Sequence, residues 1–135
     1  MLASIDSIRV TPPNVAPALA KGEPQLSDLQ LKLYERALAR DPRNHFLLLD
    51  LAREYGRHRR VIDAECTLRR LVELYPESAQ ICAQAAAAFV DVGLPLRAIE
   101  QFRRSLEIAP DQPDAAVING HLSRLTAALC NPAAG

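Results

Sequence analysis

The sequence predicts an all-α fold of antiparallel helix pairs, and three observations carry the prediction. Pro42, Pro76 and Pro110 are evenly spaced, at an interval that matches one helix-turn-helix unit of about 34 residues. Each closes a run whose apolar residues recur at spacings of three and four, the period of an amphipathic helix. The three endings also share residue types: Ala39-Arg40-Asp41-Pro42, Leu74-Tyr75-Pro76-Glu77 and Ile108-Ala109-Pro110-Asp111.

The chain divides near Gln25. Before it, Pro12, Pro13, Pro17 and Pro24 interrupt any regular element and Gly22 adds freedom, so residues 1–25 read as a flexible Pro-rich arm. Residues 26–130 read as the helical domain and 131–135 as a tail. Ser27 is placed to cap the first helix with Gln30 as its capping-box partner and Leu26 and Leu31 as a hydrophobic staple. That helix is expected over about 28–40 on a stripe of Leu31, Tyr34, Ala37 and Leu38, ended by the Asp41-Pro42 step. Asn44 starts the next helix, whose stripe is Leu48, Leu51, Ala52 and Tyr55, with Gly56 expected as its stop. A third follows on Val61, Ala64, Leu68, Leu71 and Leu74. The order then returns: Cys82, Ala85, Ala86 and Phe89, a stop at Gly93, and a helix opened by Pro95 carrying Ala98, Phe102, Leu106 and Ile108. A last helix, expected to begin near Pro113, carries Ile118, Leu122, Leu125 and Leu129 as a terminal cap with one wet face.

These residues resemble two tetratricopeptide repeats over 45–78 and 79–112. Leu51, Tyr55, Ala64 and Pro76 in the first, and Phe89, Ala98, Phe102 and Pro110 in the second, have the family's signature residue types, with Leu48, Ala52 and Leu68 as conservative stand-ins. The resemblance implies a right-handed α-solenoid of antiparallel helix pairs, two full repeats flanked by a preceding helix and a capping helix. Small Ala64 and Ala98 let paired helices approach, while Tyr55, Leu68, Phe89 and Phe102 fill the space between neighbours. Three positions depart from the pattern. Leu71 replaces an alanine, Arg59 stands where glycine is common in the turn, and Gln30 holds a small-residue position.

The family resemblance further implies a non-catalytic interaction module, an adaptor, scaffold or chaperone, whose first helices line a concave groove that holds a peptide or helix of a partner protein. Carried over by position, the groove face is Phe46, Leu49, Asp50, Arg53 and Arg57 from one repeat and Gln80, Ala83, Gln84, Ala87 and Val90 from the next. Phe46 and Leu49 suit an apolar ligand side chain, and Arg53 and Arg57 a carboxylate. In the alternative, Phe46 and Leu49 simply pack on the helix around Tyr34. The family's carboxylate clamp needs Lys and Asn where Leu49 and Arg53 stand, which argues against that activity. His58, Arg59 and Arg60, with Arg53 and Arg57, form a basic turn that either docks an acidic partner or is neutralised by Glu54, Asp63 and Glu65.

Other classes of function find little in the sequence. Sixteen basic and 16 acidic residues leave no net charge, which removes the case for a general polyanion binder. An RNA-reading helical repeat is similar in outline, but two repeats read too few bases, and only Tyr55 stands near the basic turn as a stacking aromatic. His45, His58 and His121 lack metal-site spacing, and no phosphate loop or nucleophile elbow occurs, so no enzyme activity, cofactor or metal is expected. Cys66, Cys82 and Cys130 match no disulfide framework and read as free thiols, which with the lack of a signal or membrane-spanning stretch points to the cytoplasm without membrane insertion. Two further readings remain open: a regulatory or targeting unit of a larger enzyme or secretion complex, and self-association through the ends of the helix stack. Residues 11–24 are also long enough to fold back over the groove, in which case deleting residues 1–25 raises partner affinity.

Overall fold

A computed structural model describes residues 26–130, with side chains from residue 28 onward. The expected N-terminal arm, the tail, and the side chains of the Ser27 cap and Leu26 staple lie outside the described residues. Those described form six helices and no strand: α1 (Leu26–Arg40), α2 (His45–Arg57), α3 (Val61–Leu74), α4 (Ala79–Asp91), α5 (Pro95–Ile108) and α6 (Ala115–Cys130). The pairs α2 with α3 and α4 with α5 pack most extensively. Each helix also packs on its chain neighbours, and α2 packs on α4.

The turns repeat with the sequence. Asn44 and Ser78, separated by the same interval as the prolines, take extended backbone, and their side chains accept hydrogen bonds from the Leu47 and Ile81 amides at 3.2 and 3.1 Å. Each thereby satisfies an amide that the first helical turn leaves unpaired. Inside each pair, the Arg60 amide donates to the Tyr55 carbonyl at 2.9 Å and the Leu94 amide to the Phe89 carbonyl at 2.8 Å. This closure needs one left-handed residue: Gly93 supplies it with φ 86°, and its counterpart in the first repeat is Arg59 with φ 60°.

Gly56 is therefore not the stop that the sequence suggested. The helix runs past it to Arg57, and the absence of a side chain serves packing instead. A Cβ there would lie 2.6 Å from Cγ1 and 3.2 Å from Cβ of Val92, a β-branched residue with little freedom to yield.

The core is a seam of small residues between larger ones. Ala52, Ala64, Ala85, Ala86 and Ala98 are fully buried, as are Leu48, Leu68, Leu71 and Cys82, with Tyr55, Phe89 and Phe102 close behind. Two residues expected in the apolar stripes sit at the surface. Val61 is 37% and Leu129 41% exposed, each near a helix end.

Helices α2 and α4 start at His45 and Ala79, one proline interval apart, but α6 starts at Ala115, two positions later than that interval allows and two after the expected Pro113. Ile118, Leu122 and Leu125 follow Cys82, Ala86 and Phe89 by the same lengthened interval. Gln112 explains the shift. Standing where Asn44 and Ser78 cap, it turns its amide back to donate to the carbonyls of Ser105 and Ala109 at 3.0 and 2.9 Å. The start of α6 passes to Asp114, whose carbonyl accepts from the Ile118 amide.

Gly56→Ala is expected to lower stability by about 1–3 kcal/mol in denaturant titration, with the loss largely recovered when Val92→Ala is added. Arg59→Gly is expected to raise stability by about 0.5–1 kcal/mol by relieving the left-handed backbone.

Candidate functional site

The α4 sequence is alanine-rich on both faces. Ile81, Cys82, Ala85, Ala86, Ala88 and Phe89 are buried, while Gln80, Ala83, Gln84 and Ala87 recur on the opposite side at helical spacing. Beyond that side stands α6, displaced by the longer loop. Between them lies a cleft of about 600 Å³, within the range of about 300–1,000 Å³ usual for ligand sites. Ala79, Ala83 and Ala87 form one wall, Val117 and His121 the other, and Phe102 and Ile118 the floor. The His121 ring stacks on Phe102 with centroids 5.3 Å apart. Its Nδ1 accepts from the Arg124 guanidinium at 2.7 Å.

Polar groups in the cleft are mostly amides. Gln112 is held by Ser105, whose hydroxyl donates to the Ala79 carbonyl at 2.7 Å and so ties α5 to the start of α4. Gln84 differs: its Oε1 is buried and has no hydrogen-bond partner among the described residues. An unpaired buried acceptor costs about 1–3 kcal/mol.

The groove residues expected on α2 do not join this cleft. Leu49 is buried in the core at 6% exposure, and α2 closes directly onto α4. Arg53 spans that junction, its Nε donating to Asp91 Oδ2 at 3.1 Å. Phe46 lies on the surface beside His45, Asp50 is exposed, and Val90 is 42% exposed at the far end of α4. The structure thus brings together Gln80, Ala83, Gln84 and Ala87 and adds Phe102, Val117, Ile118 and His121. Only the lengthened spacing of the last apolar stripe carried a signal of this second wall.

The basic turn is paired locally. Arg57 donates to the Glu54 carboxylate, which is 3% exposed despite its charge. His58 lies between acids, with Nε2 3.8 Å from Glu54 and Nδ1 3.5 Å from Asp28 of α1. Arg60 donates to Asp63 at 2.7 Å and covers the Tyr55 ring at 4.7 Å. Arg59 alone of this turn has no such pair among the described residues. Beneath the turn, the Tyr55 hydroxyl donates to Glu35 Oε2 at 2.6 Å. Burial, reinforced by that carboxylate, pushes the Tyr55 phenol up to about 12.

Among the described residues, no group of three or more His, Cys, Asp or Glu side chains is placed to hold a metal ion, and no helix is long and apolar enough to cross a membrane. The three cysteines are unpaired. Burial raises the Cys82 thiol pKa, opposed in part by Arg104, while Cys66 and Cys130 are exposed. The chain matches no family model and no curated protein.

Two measurements follow from this geometry. A raised phenol pKa means that folding favours the neutral form, so the Tyr55 contribution to stability is whole below pH 10 and is lost as pH climbs toward about 12. Tyrosinate absorbance should show this late titration in the native protein and lose it in Tyr55→Phe. Ser105→Ala, which takes the hydroxyl donor from the Ala79 carbonyl while Gln112 keeps the Ser105 and Ala109 carbonyls, should cost about 1–2 kcal/mol in thermal or chemical unfolding.

Proposed function

We propose that this chain is a non-catalytic protein-interaction module of the tetratricopeptide-repeat kind, its helix pairs stacked as a right-handed solenoid. It acts as a cytoplasmic adaptor, scaffold or chaperone that holds a segment of a partner protein. The observation that carries this reading is the open cleft between α4 and α6, walled by alanines and lined by glutamine amides. Alanine walls leave room for a peptide backbone to come close. An exposed amide such as Gln80 has an acceptor for a peptide N–H and a donor for a peptide carbonyl, the pairing an extended segment needs. Because the lining holds one carboxylate, Asp114, and neither Lys nor Arg, recognition rests on shape, small apolar side chains and amide pairing rather than on ion pairs. The packing of α2 on α4 and the regular recurrence of caps and turns support the repeat architecture.

The test is to select peptides from a random display library on the full chain and to measure their affinity for two variants. Ala83→Arg, which fills the cleft, should weaken binding by about tenfold or more, whereas Phe46→Ala, outside it, should leave binding unchanged. Circular dichroism confirms that both variants keep their helix content. If no peptide is selected, or if selected peptides bind Ala83→Arg as well as the parent, the reading fails.

A further inference from the structure

We propose that the outer face of α1 is a second docking surface, separate from the cleft, and that it takes an acidic amphipathic helix of a partner protein. Register along the chain is the first argument. Helix α1 precedes α3 by one proline interval, so Gln30, Tyr34 and Ala37 are the counterparts of Ala64, Leu68 and Leu71. Those three are fully buried, with α2 packed on their helix. Their counterparts are not: Gln30 is exposed, Tyr34 and Ala37 are half-buried, and beside them Leu29 and Leu33 are 45% and 64% exposed. Among the described residues, no helix packs on α1 in the position that α2 occupies on α3.

The sequence pattern disfavours a helix of the chain's own there. Counting back one proline interval from α2 reaches positions 11–23, which contain Pro12, Pro13 and Pro17. Proline in a helix interior costs about 3 kcal/mol.

Charge sets the chemistry of the occupant. Lys32, Arg36 and Arg40 recur at four-residue spacing on α1, all exposed, and none makes a hydrogen bond or ion pair among the described residues. The acids of the same helix are engaged elsewhere: Glu35 accepts from Tyr55, and Asp28 lies beside His58. The outward face therefore presents two leucines flanked by three unpaired cations. Its complement is a helix with an apolar stripe and carboxylates along its borders.

The probe is a labelled synthetic helix carrying Leu, Leu, Ala and Tyr at the spacing of Leu48, Leu51, Ala52 and Tyr55, with glutamates along its borders. A control carries lysines instead. In fluorescence anisotropy with the full chain, the glutamate peptide should bind at least about tenfold more tightly than the lysine peptide. The double variant Arg36→Glu, Arg40→Glu should reverse that preference, and Leu33→Asp should abolish binding of both. These positions are exposed, so helicity is expected to hold. Ala83→Arg should leave binding intact, which separates this surface from the cleft whether or not the cleft binds peptides.

Equal binding of the two peptides, an unreversed preference, or loss of binding in Ala83→Arg would overturn the proposal. So would binding that appears only after deletion of residues 1–25, which would assign the face to the chain's own N-terminus. Failure of both peptides, with attachment to phosphatidylserine vesicles that the double variant loses, would assign it to an anionic lipid surface. A concentration-dependent dimer dispersed by Leu33→Asp would assign it to a second copy.

Discussion

Close approach of helices across alanine is the constraint on which the remaining structure depends. Ala52 and Ala64 lie in the first pair, Ala85, Ala86 and Ala98 in the second, and none retains solvent exposure. Helix axes pack about 8–10 Å apart, and they reach the near end of that range where side chains at the crossing are small. The larger residues, Leu48, Leu68, Tyr55, Phe89 and Phe102, then interlock on either side of each crossing. Gly56 is the limit of the same rule: where α2 runs against Val92, even a methyl group has no room.

The alanines that close one side of α4 open the other. A helix with no charge from Ala79 to Val90 and alanine on both faces buries one face and leaves the second as a shallow wall. Leu and Phe on that second face would have drawn α6 inward. Instead, Gln112 diverts its side chain to Ser105, α6 starts two positions late, and the gap stays open. The other end of the molecule differs in kind. Although the chain is neutral as a whole, many of its cations are matched within or between helices, as in Arg53 with Asp91, Arg60 with Asp63 and Arg97 with Glu65. Such exposed pairs add only about 0–1 kcal/mol each to stability. Their larger effect is to cancel local fields, so that runs of unmatched cations such as Lys32, Arg36 and Arg40 stand out.

The helices and their order were legible because their signals are local: apolar period, capping residues and turn prolines. Asn44 and the stripes of α2, α4 and α5 fall where the sequence places them. Legibility ended where tertiary context decides. Gly56 and Gly93 look alike in sequence, yet one serves packing and the other backbone geometry, while the left-handed duty in the first turn falls to Arg59. Glu54 reads as a surface residue because the packing that buries it beside Arg57 forms only once the chain is folded. Half of the cleft, from Gln80 to Ala87, followed from positions carried over from the family resemblance. Its second wall did not, because the lengthened loop before α6 breaks the regular interval used to assign positions.

The buried carboxylate of Glu54 has a consequence for folding fidelity. Two similar repeats in tandem invite a register slip, in which one repeat pairs with the partner meant for the other. One repeat further along, the counterpart of Glu54 is Ala88, which is also fully enclosed. A chain that slipped by one repeat would bring the long Glu54 side chain, still paired with Arg57 of its own helix, to a site that encloses only the methyl group of Ala88. Overfilling a close-packed site in this way costs about 1–3 kcal/mol, a sizeable share of the stability of a small domain. One acidic residue thus makes the two repeats non-interchangeable.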